Sequence, residues 1–371
     1  MPQILLEHVS KRFEKFVAVD DLNLEISDRG FVTLLGPSGC GKTTTLRMIA
    51  GLETPTEGQI TIGDTVVFDA EQGINLPPNK RDIGFLFQNY ALWPHMTVEQ
   101  NISFGLEMLK WDKKRIKDRV AEMMALLKIE QFGKRYPAEL SGGQQQRVAI
   151  ARTLAPSPKV LFMDEPLSNL DAKLRGEMRT ELKRLHSDTN STFVYVTHDQ
   201  LEAMTLSTKV CLMETGVLQQ YDPPLTIYNQ PANMFVASFV GNPTMNFIPA
   251  RAEGTEGKTL RLEILGKKAV FTSEEPFTLP GKEIVAGIRP EFLPILKEGP
   301  LKASIYSTLP AGMETTVKAK CGDALLTSVV FGSVDYEVDE DVRMDVTGES
   351  VVLFGAEDHQ RFAVGSLKIT D

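Results

Sequence analysis

Cysteine is scarce in this 371-residue chain. The three present, Cys40, Cys211 and Cys321, are odd in number and far apart, which speaks against a disulfide framework and for a reducing compartment. None of them has neighbours at metal-ligand spacing. Long apolar runs are missing too, and nothing approaches the roughly 18 residues that cross a bilayer. The opening segment carries Glu7 and His8 and no basic-then-apolar leader, so a chain that is neither secreted nor itself membrane-spanning is expected. Positive charge is short: 40 Lys plus Arg stand against 49 Asp plus Glu, a formal net charge of −9. No basic cluster offsets this balance, so no nucleic-acid partner is expected. With 28 Gly, 21 Pro and 42% hydrophobic residues, the composition is globular and excludes collagenous and wholly disordered classes.

A change of pattern divides the chain. Residues 1–235 read as short apolar strands alternating with amphipathic helices, which implies a parallel sheet with ligands gathered at the carboxyl ends of its strands. Residues 236–371 read as short strands punctuated by Gly and Pro, including residues 269–272, 284–288 and 351–354, and suggest a small all-β barrel of the oligonucleotide-binding (OB) type. That part holds 14 Lys plus Arg and 20 Asp plus Glu, a balance of −6 that argues against its use on nucleic acid. In the first part, Ile116, Val120, Met123, Met124 and Leu127 recur at helical spacing, as do Leu174, Met178, Leu182 and Leu185, and both stripes read as core packing.

The strongest local signal follows the apolar run 31–35. Gly36, Pro37, Ser38, Gly39, Cys40, Gly41, Lys42 and Thr43 match the phosphate-binding pattern of two glycines separated by four residues and followed by Lys and Thr. Such a loop turns successive backbone N–H groups toward one point, and the helix after it adds the positive end of its dipole. Lys42 then neutralises β- and γ-phosphate charge, and the Thr43 hydroxyl is placed to ligate Mg²⁺. Cys40 reads as a space-filling loop residue.

A hydrolase also needs a second metal contact and a group that activates water. The apolar run 160–163 ends in Asp164 and Glu165, one placed to reach Mg²⁺ through water and the other to act as general base. The run 193–197 delivers His198 to the same edge, positioned for a γ-phosphate or for the water beside Glu165. Gln88, after the run 83–87, is placed to sense metal or water from a further strand end. Leu140, Ser141, Gly142, Gly143 and Gln144 open another helix and form a second, Lys-free anion site. Either the two anion sites close on one another within the chain, or two chains share two nucleotides.

With these residues in hand, positions 1–235 resemble the ATPase subunit of an ABC transporter, an α/β P-loop NTPase. Six of its motifs occur in order: 36–43, Gln88, 140–144, 160–165, 168–171 and His198. The resemblance implies that ATP and Mg²⁺ are the cofactors, with Thr44 joining the phosphate loop and Phe13 stacking on adenine in competition with nearby Phe16. It implies a head-to-tail homodimer in which Ser141, Gly143 and Gln144 of one copy complete the γ-phosphate site of the other, with Asp171 at the interface. It implies a helical subdomain over about residues 89–155, whose groove beside Gln88 receives a short helix from each of two membrane-spanning permease subunits.

Residues 240–247, together with Gly287, Ile288, Arg289, Pro290 and Glu291, resemble the C-terminal regulatory extension of the maltose-type carbohydrate importers, with Phe292 where many relatives have His. Little beyond Lys302 is similar to that extension. The family implies ATP hydrolysis at the cytoplasmic face of the membrane, coupled to carbohydrate import and served indirectly by an extracytoplasmic solute-binding protein. Importers of polyamine, iron, glycerol phosphate or inorganic anions carry comparable barrels. A non-transport ABC ATPase acting on nucleic acid is opposed by the acid excess in both parts.

Overall fold

The computed structural model describes residues 4–348 and 350–370. It divides into two compact units at 224/225, whereas the change of sequence pattern lies near 235.

The first unit is built on the strands β1 (Ile4–Phe13), β2 (Phe16–Ile26), β3 (Phe31–Leu35), β4 (Glu57–Ile62), β5 (Thr65–Asp69), β6 (Ile74–Asn75), β7 (Ile83–Leu86), β8 (Val160–Asp164), β9 (Thr192–Val196), β10 (Lys209–Glu214) and β11 (Val217–Asp222). Its helices are α1 (Lys42–Ala50), α2 (Val98–Met108), α3 (Lys113–Leu126), α4 (Gly142–Leu154), α5 (Ala172–Asp188) and α6 (Gln200–Leu206). Six strands form one sheet in the order β11-β10-β3-β9-β8-β7, parallel from β10 to β7 with β11 antiparallel at the edge. A second, antiparallel sheet runs β2-β1-β4-β5-β6.

Every residue of β3, β8 and β9 is buried, as a sheet covered on both faces requires. Alternate side chains of one strand serve two different cores. Val194 and Val196 join Val160, Phe162, Leu46 and Ile49 on one face, while Phe193 and Tyr195 join Leu161, Met163, Met178 and Leu182 on the other. Truncating a ring such as Phe162 to Ala in so dense a core costs about 3–5 kcal/mol. The helical stripes pack as expected: Val120, Met123, Met124 and Leu127 are buried, with Ile116 against them. Helices α2, α3 and α4 fall within the expected helical segment.

The sheet order sets the site. Strands β3, β9, β8 and β7 are adjacent, so the loops that leave their carboxyl ends open on one edge. Those loops carry Lys42, His198, Glu165 and Gln88.

The second unit begins with α7 (Pro224–Asn229) and α8 (Met234–Phe239), then β12 (Asn246–Glu256), β13 (Thr259–Ile264), β14 (Lys267–Ser273) and β15 (Glu283–Ile288). After these come β16 (Ile295–Leu296), β17 (Leu301–Pro310), β18 (Glu314–Cys321), β19 (Ala324–Phe331), β20 (Asp341–Met344), β21 (Val351–Gly355) and β22 (Arg361–Ile369). Period-two burial shapes them: in β13, Leu260, Leu262 and Ile264 point inward between exposed Arg261 and Glu263. The expected barrel is present as the closed circuit β12-β13-β14-β22-β21-β15. A feature that the sequence reading did not anticipate is a separate five-stranded sheet, β16-β20-β17-β18-β19, whose Ile305, Val317 and Leu326 share a core with Ile248, Leu260 and Phe271 of the barrel.

Candidate functional site

The loop between β3 and α1 has the backbone of an anion cradle. Gly36, Gly39 and Gly41 all have positive φ. A Cβ on Gly36 would lie 2.2 Å from the Met213 carbonyl, and one on Gly41 would lie 2.4 Å from that of Ala18, so no side chain is accommodated at either. A Cβ on Gly39 would meet nothing, because that side of the loop is open. Helix α1 starts at Gly41 without a side-chain cap, which leaves its first N–H groups to an incoming anion.

Lys42 is 94% buried within this loop. Its Nζ donates to the carbonyls of Gly36 at 2.7 Å and Pro37 at 2.8 Å and lies 3.6 Å from Cys40 Sγ. The ammonium is thus gathered over the cradle, where only weak dipoles answer its charge. Cys40 is buried and fills space, as its position suggested. Pro37 is half-buried, Ser38 is exposed, and Thr44 is partly exposed in the first turn of α1.

Asp164, the last residue of β8, faces α1. Thr43 Oγ1 donates to Asp164 Oδ1 at 2.9 Å, and Arg47 Nη2 lies 3.6 Å from Asp164 Oδ2. Residues 43 and 47 are one helical turn apart, so the same face of α1 holds each oxygen of the carboxylate. Burial raises the Asp164 pKa above the usual carboxylate value; the Thr43 hydrogen bond and the Arg47 charge oppose that rise, and Glu165 adds to it. Sequence reasoning missed Arg47, although its spacing from Thr43 was the available signal.

Glu165 has φ of 44°, a left-handed conformation that costs a non-glycine residue stability and turns its side chain out of the strand line. Its N–H donates to the Val196 carbonyl at 3.0 Å, which pins the turn to the neighbouring strand. Glu165 Oε1 is 3.4 Å from His198 Nδ1, and Oε2 accepts from Gln88 Nε2 at 3.4 Å. Gln88 Nε2 is also 3.4 Å from Ser168 Oγ, and the Gln88 carbonyl accepts from Asn169 Nδ2 at 3.1 Å. Glu165, His198 and Gln88 therefore converge on one edge, at Asp164 and Thr43.

Among the described residues, three groups of expected residues make no hydrogen bond to this cluster. Ser141 caps α4 through a reciprocal pair, its Oγ accepting from Gln144 N and its N–H donating to Gln144 Oε1 at 3.0 Å. Gly142 is exposed, and Gly143 is buried where a Cβ would lie 2.4 Å from Leu174 Cδ2. Among the described residues, no hydrogen bond links residues 141–144 to the loop 36–43. Asp171 is exposed and caps α5, accepting from Leu174 N at 3.0 Å. Phe13 is 39% exposed and stacks on Phe16 with ring centroids 5.2 Å apart, with Lys11 Nζ 4.7 Å from its centroid. The pair offers a flat aromatic face beside a cation.

Comparison with known proteins gives the same reading. Residues 19–168 match the ABC transporter family, and residues 241–293 match the MalK OB fold domain. The chain is 42% identical over 369 residues, 96% of its own length and 98% of the relative's, to the uncharacterized ABC transporter ATP-binding protein YurJ of Bacillus subtilis. It is 50% identical over 296 residues to the trehalose/maltose import ATP-binding protein MalK of Thermococcus litoralis, covering 79% of each chain. It is 49% identical over 292 residues to the osmoprotective compounds uptake ATP-binding protein GgtA of Synechocystis, covering 78% of each. A solved dimeric ATP-binding cassette in a post-hydrolysis state with ADP and Pi is 32% identical and superposes with a TM-score of 0.52, over 60% of this chain and 98% of the other. With these matches and this site, the chain belongs to the ABC transporter family, as an ATP-binding and ATP-hydrolysing subunit that carries a MalK-type OB-fold extension.

Proposed function

We infer that this chain is the motor subunit of an importer for a carbohydrate, working as a homodimer at the cytoplasmic face of the membrane beneath two permease subunits. The observation that carries the hydrolytic part is the convergence of Glu165, His198 and Gln88 at the Thr43–Asp164 pair. The amides of residues 36–43 bind the phosphates of ATP, and Phe13 carries the adenine. Lys42 exchanges its two carbonyl partners for β- and γ-phosphate oxygens. Glu165 Oε accepts a proton from the attacking water, while His198 holds the γ-phosphate and the carboxylate in line. The products are ADP and inorganic phosphate. Thr43, Asp164 and Gln88 present an oxygen-rich donor set that fits Mg²⁺, which would neutralise phosphate charge there.

Residues 141–144 supply a capped helix start that, among the described residues, makes no hydrogen bond to the loop 36–43, which supports their serving a second copy. Solved cassettes of the same fold are dimeric, which supports the pairing of two copies. Among the described residues no helix is long and apolar enough to cross a membrane.

Carbohydrate as cargo rests on the MalK-type extension and on the trehalose/maltose relative. The osmoprotectant relative keeps small compatible solutes as the second reading. Purifying the tagged chain from detergent-solubilised membranes, then assaying ATP turnover of the recovered complex with α-linked disaccharides or with osmoprotectants, separates the two. Stimulation by a disaccharide supports the proposal, and stimulation by osmoprotectants alone replaces it.

A further inference from the structure

Arg175 sits in the first turn of α5, outside the cluster that handles phosphate, yet its guanidinium touches three residues on two segments that meet behind that cluster. Nη2 donates to the Leu170 carbonyl at 3.1 Å, the residue before Asp171. Nη1 is 3.4 Å from Asp199 Oδ2, and Nε is 3.9 Å from Glu202 Oε1. Both acids belong to the segment that carries His198. Asp199 Oδ1 caps α6 by accepting from Leu201 N at 2.8 Å and Glu202 N at 3.2 Å, so its two oxygens are divided between the helix and Arg175. Glu202 is buried and takes hydrogen bonds from Thr197 Oγ1 at 2.6 Å and Tyr195 Oη at 2.8 Å, and Asp199 N donates to Thr197 Oγ1 at 3.0 Å. The residues on both sides of His198 are therefore anchored in a network that Arg175 joins to the turn 168–171.

The arrangement has slack on one side only. The bond to Leu170 is an ordinary hydrogen bond, whereas the contacts to the two acids are longer, and the buried Nε has no hydrogen-bond partner. A shift of the Leu170 turn moves the guanidinium relative to both acids, and with them the strand end that presents His198.

We propose that Arg175 is a positioning residue that couples the turn 168–171 to His198, so that the placement of His198 depends on the state of the turn. This rests on the hydrolytic reading above, in which His198 holds the γ-phosphate and Asp171 faces a second copy. Arg175 touches no reacting atom. Its fork geometry is what matters, since a lysine keeps the charge and loses the simultaneous contacts.

The test compares Arg175→Lys, Asp199→Asn and the double variant in the full chain, with Glu165→Gln as control. Binding of a fluorescent ATP analogue, kcat, KM and melting temperature are measured for each. Arg175→Lys is expected to bind nucleotide within about twofold of the parent and to lose about tenfold in kcat with KM kept. The double variant is expected to lose no more than the worse single variant, because both substitutions cut the same link. Losses that multiply, a KM that rises in step with the fall in kcat, or a kcat for Arg175→Lys within about twofold of the parent each overturn the assignment. Should Glu165→Gln itself turn over normally, the hydrolytic reading fails and takes this inference with it. If Glu165→Gln is inactive and Arg175→Lys is normal, only the role of Arg175 falls.

Discussion

Glu165 Oε1 lies 3.4 Å from His198 Nδ1, the first residue after β8 meeting the second residue after β9. Neither side chain reaches the other by chance of a flexible loop. The strands are parallel neighbours, with Asp164 opposite Val196, and the Glu165 N–H is bonded to the Val196 carbonyl. The sheet register itself brings this carboxylate and imidazole together.

Glu165→Gln keeps the shape of this contact and removes the carboxylate proposed as the base. ATP binding is expected to persist while kcat falls by about 10²- to 10⁴-fold, the range that a positioned general base contributes. With hydrolysis blocked, ATP should hold two copies together, seen as a dimer by light scattering. Undiminished turnover would take Glu165 out of this role.

Lys42→Ala removes an ammonium that is buried against two carbonyls. A hydrogen bond to a charged group contributes about 1.5–3 kcal/mol, so ATP affinity should fall by about ten- to a hundredfold. Isothermal titration with the Glu165→Gln background, where ATP is not consumed, reads this directly. Unaltered affinity would count against the loop as the phosphate site.

Much of this site was legible because its parts are contiguous. The phosphate loop is one run of eight residues, and each of Gln88, Glu165 and His198 follows a continuous apolar strand, so the strand end could be read from hydrophobicity alone. Arg47 and Arg175 were not legible as site residues, since each works on acids from other elements and looks like a solvated helix charge in sequence. The family resemblance faded beyond Lys302, and there β17, β18 and β19 pair into a sheet of their own by contacts that no local motif announces. The positive φ of Glu165 has no sequence signal either; its N–H is bonded to the neighbouring strand at Val196 and its carbonyl to Ser168.

Glu202 gives the first unit a titration of known sign. Burial raises its pKa above the usual carboxylate range, against hydrogen bonds from Thr197 and Tyr195 that lower it. A carboxyl whose folded pKa is raised favours the folded state below its unfolded pKa, and that advantage is lost as pH rises through the folded value. Glu202→Gln removes the effect. The melting temperature of the parent minus that of the variant should therefore be most favourable to the parent near pH 4 and decline as pH rises past the raised value. A difference that stays flat between about pH 4 and pH 7 would show that Glu202 is not perturbed in the folded chain.

Arg289 performs a structural task in the second unit that its place in the Gly-Ile-Arg-Pro-Glu run did not reveal. It is buried, lies 4.1 Å from the centroid of the Tyr228 ring, and donates to the carbonyls of Ala237 at 3.1 Å and Tyr228 at 2.8 Å, and to that of Val240. Tyr228 Oη in turn donates to Glu291 Oε1 at 2.8 Å. One guanidinium thus ties α7 and the end of α8 to the residue that follows barrel strand β15. Arg289→Met preserves length and apolar packing but takes the guanidinium donors from two buried carbonyls, Ala237 and Val240, each loss costing about 1–3 kcal/mol, and from the partly buried carbonyl of Tyr228. Hydrogen exchange over residues 224–241 should accelerate by orders of magnitude, while the amides of β8 and β9 keep their protection. Gly241→Ala should give a milder version, because its Cβ would lie 2.6 Å from Arg289 Nη1 at a φ of +113°. Protection of residues 224–241 that survives Arg289→Met would mean that the helices are held by their apolar contacts instead, with Ala237 packed on Met245, Val352 and Phe354.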